Sequence, residues 1–155
     1  MDIEKAIREY LLEIIHLSLA TCKENRPWVC ELHFAYDNDL NFYFRSKPDT
    51  RHSIEIASNP NVAGDIVTQH TVEEEPRGVY FEGMAERLLN VDESHPAYTL
   101  YCERFGTGPE ILEENKTDTG HGFYKITVEK FSLFDSRESS PSQKYELPWT
   151  GRTEK

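Results

Sequence analysis

Positive charge is scarce in this chain. Seventeen Lys and Arg residues face 28 Asp and Glu, so 155 residues carry a formal net charge of −11. Such a field repels a polyanion such as duplex nucleic acid, which argues against a nucleic-acid partner. Cysteine is scarce as well. Cys22, Cys30 and Cys102 form neither a C-x-x-C pair nor an even set, so neither a zinc site nor a disulfide framework is expected, and the three are read as small core residues. Long apolar runs are missing too: Leu11 to Ala20 is the longest, Glu13 interrupts it, and a membrane span needs ~20 residues. The opening Met1-Asp2-Ile3-Glu4 lacks the layout of a secretion signal. Together these absences predict a cytoplasmic protein with no membrane partner.

What is present is material for a core. Apolar residues make up 37 %, with eight Tyr, eight Phe and two Trp, enough for one domain despite a mean hydropathy of −0.66. We assign the domain to residues 1–136 and a C-terminal tail to 137–155. The tail is rich in Ser, Pro and charge, yet Tyr145, Leu147 and Trp149 in it need a surface to bury against.

Ile3, Ala6, Ile7, Tyr10, Leu11, Ile14 and Ile15 follow the spacing of one helical stripe, with Asp2 placed to cap it. The period then becomes alternating. Leu17 to Cys22 reads as a strand, Lys23 to Pro27 as a polar connection, and Trp28, Cys30, Leu32, Phe34 and Tyr36 as one face of a second strand. Leu40 to Arg45 completes an expected three-stranded meander. A short helix over Thr50 to Ser58 must stop at Asn59-Pro60. Val62 to Gln69 and Gly78 to Leu89 read as strands, and Gly83 and Ala85 mark a bend or a close approach in the second of these. Glu93 to Phe105 reads as a helix broken by Gly106-Thr107-Gly108-Pro109, and Phe123 to Val128 with Phe131 to Phe134 as a closing pair of strands. The fold class is mainly β with peripheral helices, an antiparallel sheet closed into a small barrel.

One segment departs from the acidic average. Arg45-Ser46-Lys47-Pro48-Asp49-Thr50-Arg51-His52 holds three fixed cations and one carboxylate at the start of the short helix. At physiological salt, charges beyond about 8 Å are screened, so an anion would feel this island first. Helix N–H groups, the Ser46 and Thr50 hydroxyls and the planar fork of Arg51 suit a phosphate; a turn in which Asp49 or Thr50 merely caps the helix is the plainer alternative. The six histidines, at 16, 33, 52, 70, 95 and 121, lack metal-ligand spacing, and no metal is expected.

Four ordered motifs carry a resemblance: Arg26-Pro27-Trp28, Phe42-Tyr43-Phe44, Thr50-Arg51-His52 followed by Asn59-Pro60-Asn61-Val62, and Gly83-Met84-Ala85-Glu86-Arg87-Leu88. In this order the chain resembles the pyridoxamine 5′-phosphate oxidase-related, FMN-binding split-barrel family from about Leu17 to Leu88. The resemblance implies a homodimer of split barrels with FMN between the subunits. Carried over by position, Thr50, Arg51 and His52 match the Ser-Arg-Lys that grips the FMN phosphate, with His replacing Lys. Tyr43 and Phe44 match the pair flanking the flavin, and Glu31 and Leu32 lie where main-chain groups line the ring edge. Gly78 stands where a Gln reaches the cofactor. Val29 and Phe34 replace an Arg and a Lys of the oxidases proper, and their C-terminal substrate pattern has no counterpart in residues 145–152. The resemblance therefore points to a short bacterial relative. The expected function is an FMN-dependent oxidoreductase acting on a small molecule, with NAD(P)H as a possible electron donor. The rival is a non-catalytic, stress-related module holding a flavin or another planar anion, and a haem-binding relative is a third reading.

Overall fold

The computed structural model describes residues 1–137 and 143–149; residues 138–142 and 150–155 of the expected tail lie outside them. Asp2 starts the first element: its carboxylate accepts the Lys5 N–H at 3.0 Å and caps α1 (Ile3–Leu11). Ile7, Tyr10 and Leu11 are buried on its inner face. The helix is shorter than the stripe, since Ile14 is buried from non-helical backbone and Ile15 is exposed. β1 (His16–Lys23) and β2 (Arg26–His33) form a hairpin. Glu24 and Asn25 both take positive φ, 52° and 61°, as a two-residue turn matched to strand twist requires.

The remaining strands are β3 (Ala35–Tyr36), β4 (Phe42–Ser46), β5 (Asn61–Val67), β6 (Arg77–Leu88), β7 (Gly122–Asp135) and β8 (Lys144–Pro148). The helices are α2 (Arg51–Ser58), α3 (Pro96–Phe105) and α4 (Glu110–Asn115). The strands form one curled, antiparallel half-barrel sheet in the order β2-β1-β5-β6-β7-β4-β3, with β8 on β7.

This order corrects two expectations. The strand read through to Tyr36 breaks at Phe34, and the Leu40–Arg45 segment pairs with β3 and β7 instead of completing a meander beside β2. The cause is the Phe34 ring, fully buried and edge-on to Phe42 at 5.2 Å. Its N–H still bonds the Ile15 carbonyl at 3.0 Å, but past it the chain pairs at the opposite end of the sheet. The face of β2 that contains Trp28 is core only in part: Cys30 and Leu32 pack half-buried against the core, Trp28 is 41 % exposed, and Val29 on the opposite face is 60 % exposed. The closing pair is also one continuous strand, β7. Glu82 pairs with Lys130 and Gly83 with Val128, so Glu129 is an extra residue that shifts the alternation by one and mimics a turn in the sequence. At this bulge the Thr127 carbonyl lies where a Cβ on Gly83 would stand, the close approach that the small residue signals.

The core is built on rings. Phe42 meets Phe34 and Phe81 at 5.2 Å each and Phe131 at 6.0 Å, all edge-on, and Phe44 stacks on Tyr124 at 4.9 Å. The tail aromatics find their surface on the same sheet. Tyr145 and Leu147 on β8 pack against the core, and the Trp149 indole N–H donates to the Asp39 carbonyl at 2.7 Å with its ring on Phe131. Among the described residues no helix is long and apolar enough to cross a membrane.

Phe42→Ala removes the ring shared by three aromatic neighbours. It should cost about 3–5 kcal/mol in urea denaturation; a loss under about 1 kcal/mol would show that these rings are not what holds the sheet together.

Candidate functional site

The basic island straddles the end of β4, a turn and the start of α2. Thr50 is the N-cap of α2, its Oγ1 accepting the Ser53 N–H at 3.4 Å. The same oxygen lies 3.2 Å from His52 Nε2 and 2.8 Å from Ser53 Oγ, and Ser46 Oγ lies 2.5 Å from His52 Nε2. Ser46, His52 and Ser53 are buried. Burial pulls the His52 imidazole below its ordinary pKa, only partly opposed by the Glu55 carboxylate, so the ring is a neutral hydrogen-bonding member of a closed hydroxyl cluster. Arg51 goes elsewhere. Its Nε donates to the buried Glu55 at 3.1 Å and its guanidinium lies 4.4 Å from the centre of the Trp28 ring.

The other expected site residues are dispersed. Phe44 is fully buried, and Tyr43 is buried with its hydroxyl donating to Asp37 Oδ2 at 2.8 Å. Gly78 pairs with Val67 and Phe134, at the opposite end of β7 from Phe123, the partner of Arg45. Glu31 and Leu32 alone among them line a groove of about 620 Å³, with His16, His33, Arg45, Tyr101, Glu114 and His121.

This groove fills the gap between the β1–β2 hairpin and β4, under α3 and α4. The hairpin register sets His16 opposite His33, and His33 stacks on Phe105 at 5.2 Å. Glu31 accepts the Ser18 hydroxyl at 2.7 Å and lies 3.9 Å from His16 Nε2. Arg45 is the withdrawn cation of the site, its side chain 11 % exposed, and donates from Nη2 to Glu114 Oε2 at 2.8 Å. Its guanidinium carbon lies 5.7 Å from the Phe123 ring centre and 5.8 Å from that of Tyr101. Its Nε is buried without a hydrogen-bond partner among the described residues. His121 Nδ1 lies 3.5 Å from the same Glu114 oxygen. Burial raises the Tyr101 phenol pKa against the pull of Arg45, leaving a neutral ring on the wall.

Such a set can hold a flat molecule. It offers a guanidinium with an unused donor for an acidic group, imidazole nitrogens for a single metal-borne contact, and ring faces for packing. It is no chelate: among the described residues no three His, Cys, Asp or Glu side chains could hold a bare metal ion. Nor is Cys30 a reactive thiol, since burial, helped by Glu31, pushes it up to about 11.

Sequence reasoning had Arg45 inside the island without singling it out. It missed His16 and His33, although a two-residue turn at Glu24-Asn25 makes them cross-strand partners by counting. Tyr101, Glu114 and His121 carried no local signal, and α4, which presents Glu114, was not foreseen.

Residues 3–135 match the family model described as pyridoxamine 5′-phosphate oxidase, and the chain belongs to that family. It is 30 % identical over 100 residues to a UPF0306 protein of Photorhabdus laumondii, covering 64 % of this chain and 69 % of the relative. Its fold is similar to that of HutZ, described as the haem storage protein from Vibrio cholerae, with a TM-score of 0.64, 21 % identity and coverage of 83 % and 92 % of the two chains. It is also similar to a haem-binding protein from Mycobacterium smegmatis, with a TM-score of 0.64, 14 % identity and coverage of 92 % and 56 %. These likenesses correct the expected cofactor. The fold is no warrant for FMN when proteins that share it are described as storing or binding haem, and here Arg51 turns to Glu55 and Trp28, away from the Thr50–His52 cluster.

The hydroxyl cluster makes a stability prediction. With the folded-state pKa of His52 lowered, the unfolded chain takes up its proton first, so this contribution is complete above about pH 6.5 and is lost as pH falls through the folded-state value. Thermal melts between pH 8 and pH 5 should show wild type losing its lead over His52→Asn as the pH drops. A constant difference between the two would contradict the assignment.

Proposed function

We propose that this chain is a non-catalytic binding module that takes a planar, carboxylate-bearing macrocycle of the porphyrin class into the groove between the β1–β2 hairpin and β4. One observation carries the reading: histidines from three places in the fold line the same groove as a half-buried guanidinium whose buried Nε–H is unused among the described residues. Arg45 would pair with an acidic side group, His16, His33 or His121 would supply a nitrogen to the metal, and Leu32 and Tyr101 would pack on the ring. The haem described for proteins of similar fold has this chemistry, and when bound it supplies an iron centre open to an imidazole. Of the residues expected from sequence, Glu31 and Leu32 belong to the wall. Ser46, Thr50 and His52 act from behind, fixing the end of β4 one residue past Arg45.

A second copy of the chain completes the site in this reading. β2 ends the sheet with a free edge and exposed Trp28 and Val29, and covering that apolar edge would also wall the groove. Three free thiols fit a reducing, cytoplasmic setting. A nicotinamide donor has no part in a storage role.

Titration with ferric haem should raise a Soret band that saturates at one equivalent per chain, and Arg45→Gln should weaken binding by roughly tenfold, the usual scale for a half-buried charged hydrogen bond. Light scattering should give twice the 18.0 kDa chain mass, falling to the monomer in Val29→Glu. Flavin bands in the protein as purified, or catalytic bleaching of the Soret band by NADPH in air, would overturn the reading.

A further inference from the structure

We propose that the Glu114 carboxylate is an internal stand-in for a carboxylate of the ligand on Arg45, so that the groove admits ligands whose own carboxylate can displace it. The proposal rests on the reading of this groove as a ligand site and adds what the ligand must carry.

Arg45 is held but not filled. A guanidinium presents its N–H groups as a planar fork and binds a carboxylate best through two parallel bonds. Glu114 satisfies Nη2 alone, at 2.8 Å, while the adjacent Nε stays buried and unpartnered. A buried donor left unpaired costs free energy that a better-placed acceptor recovers. The geometry explains why Glu114 does not reach further. Its neighbour Asn115 is buried and tied on both sides, donating from Nδ2 to the Leu88 carbonyl at 3.2 Å and accepting the Phe123 N–H at 2.9 Å. Ile111 and Leu112 pin the rest of α4 in a hydrophobic cluster with Tyr43, Val91, Ala97 and Phe123. The backbone that carries Glu114 is thus anchored, but its side chain is 42 % exposed, with water to turn to on leaving Arg45 and His121.

The exchange is one carboxylate for another. The charge facing Arg45 is the same before and after, so displacement requires a side-chain rotation and no opening of the fold. The other carboxylate in the groove, Glu31, is engaged by Ser18 and His16. A ligand without an acidic group would have to strip Glu114 from Arg45 with nothing to replace it, or lie beside an intact ion pair. A ligand carboxylate that left Glu114 in place would meet its repulsion.

Metal-free protoporphyrin IX tests this without an iron–imidazole contribution. Fluorescence titrations should show Glu114→Gln binding it roughly three- to tenfold more tightly than wild type, with the porphyrin dimethyl ester unaffected. Glu113→Gln removes the same charge from the same helix, where it pairs with Lys116 at 2.7 Å, and should leave affinity at the wild-type value. Glu114→Asp keeps the charge but withdraws it from Arg45, and should also tighten binding should the Gln variant fold poorly. A second readout comes from thermal melts: ligand-free Glu114→Gln should melt below wild type, and saturating protoporphyrin should close the gap. Equal affinities for Glu114→Gln and Glu113→Gln, with wild type binding, would overturn the stand-in and leave the groove reading standing. Weaker binding by Glu114→Gln would make Glu114 a ligand contact and overturn it as well. No binding by any of these proteins would remove the groove reading and this proposal with it.

Discussion

Burial of the Phe34 ring decides where everything else can be. The hairpin of β1 and β2 could have continued into a third neighbouring strand, since the alternation runs unbroken to Tyr36. Instead a fully buried aromatic among Phe42 and Tyr36 is worth ~2–3 kcal/mol of hydrophobic free energy, and collecting it pulls the chain to the other end of the sheet. Two consequences follow. Among the described residues β2 ends the sheet, and a gap stays open between the hairpin and β4. Arg104 stiffens the crossing, its guanidinium over Phe34 and Tyr36 while it donates to the carbonyls of Leu11 and Ile14. Closing the barrel would have abolished both the edge and the groove.

Net charge then bears on partners but not on the site. A chain at −11 would be a poor choice for an anion if the whole field acted on it. Near Arg45, however, a few charges act rather than the whole field: the Glu114 it already holds, Glu110, which feels its charge, and Glu31 in the same groove. Two aromatic faces and burial lower the local dielectric, which strengthens a short charge-assisted bond more than it strengthens a distant repulsion. The acidic exterior discourages polyanions, while in the proposed reading a single withdrawn cation would face a small one.

What could be read from the sequence divides along the same line. Local rules were legible: Asp2 as a cap, Asp49 or Thr50 as the alternatives for the second, the polar hairpin connection, the stop at Asn59-Pro60, and Gly83 as a bend or a close approach. The family motifs carried the fold, because they report a strand order that alternation alone cannot supply. Phe34 was placed on the strand's apolar face correctly in period and wrongly in destination, since periodicity is blind to which sheet edge a strand joins. Glu129 hid a bulge as a turn. The site was the least legible part, because His16, His33, Arg45, Tyr101, Glu114 and His121 become neighbours only through that crossing and through helices packed after β6.

In the basic island the fold puts the polar and cationic side chains to local structural use. Three fixed cations beside a helix start read as an anion grip, yet the fold distributes them. Arg51 is spent on Glu55 and the exposed face of Trp28, where solvent competes for it. His52 is neutral because burial outweighs the nearby carboxylate, and a neutral ring among Ser46, Thr50 and Ser53 can order a turn but hold no charge. That ordering is its contribution. By locking the residue after Arg45 to the cap of α2, the cluster fixes the last ladder pairs of β4 against Phe123 and Gly122, and so fixes the direction in which Arg45 leaves the sheet. The island serves the groove by building the scaffold from which one of its cations projects.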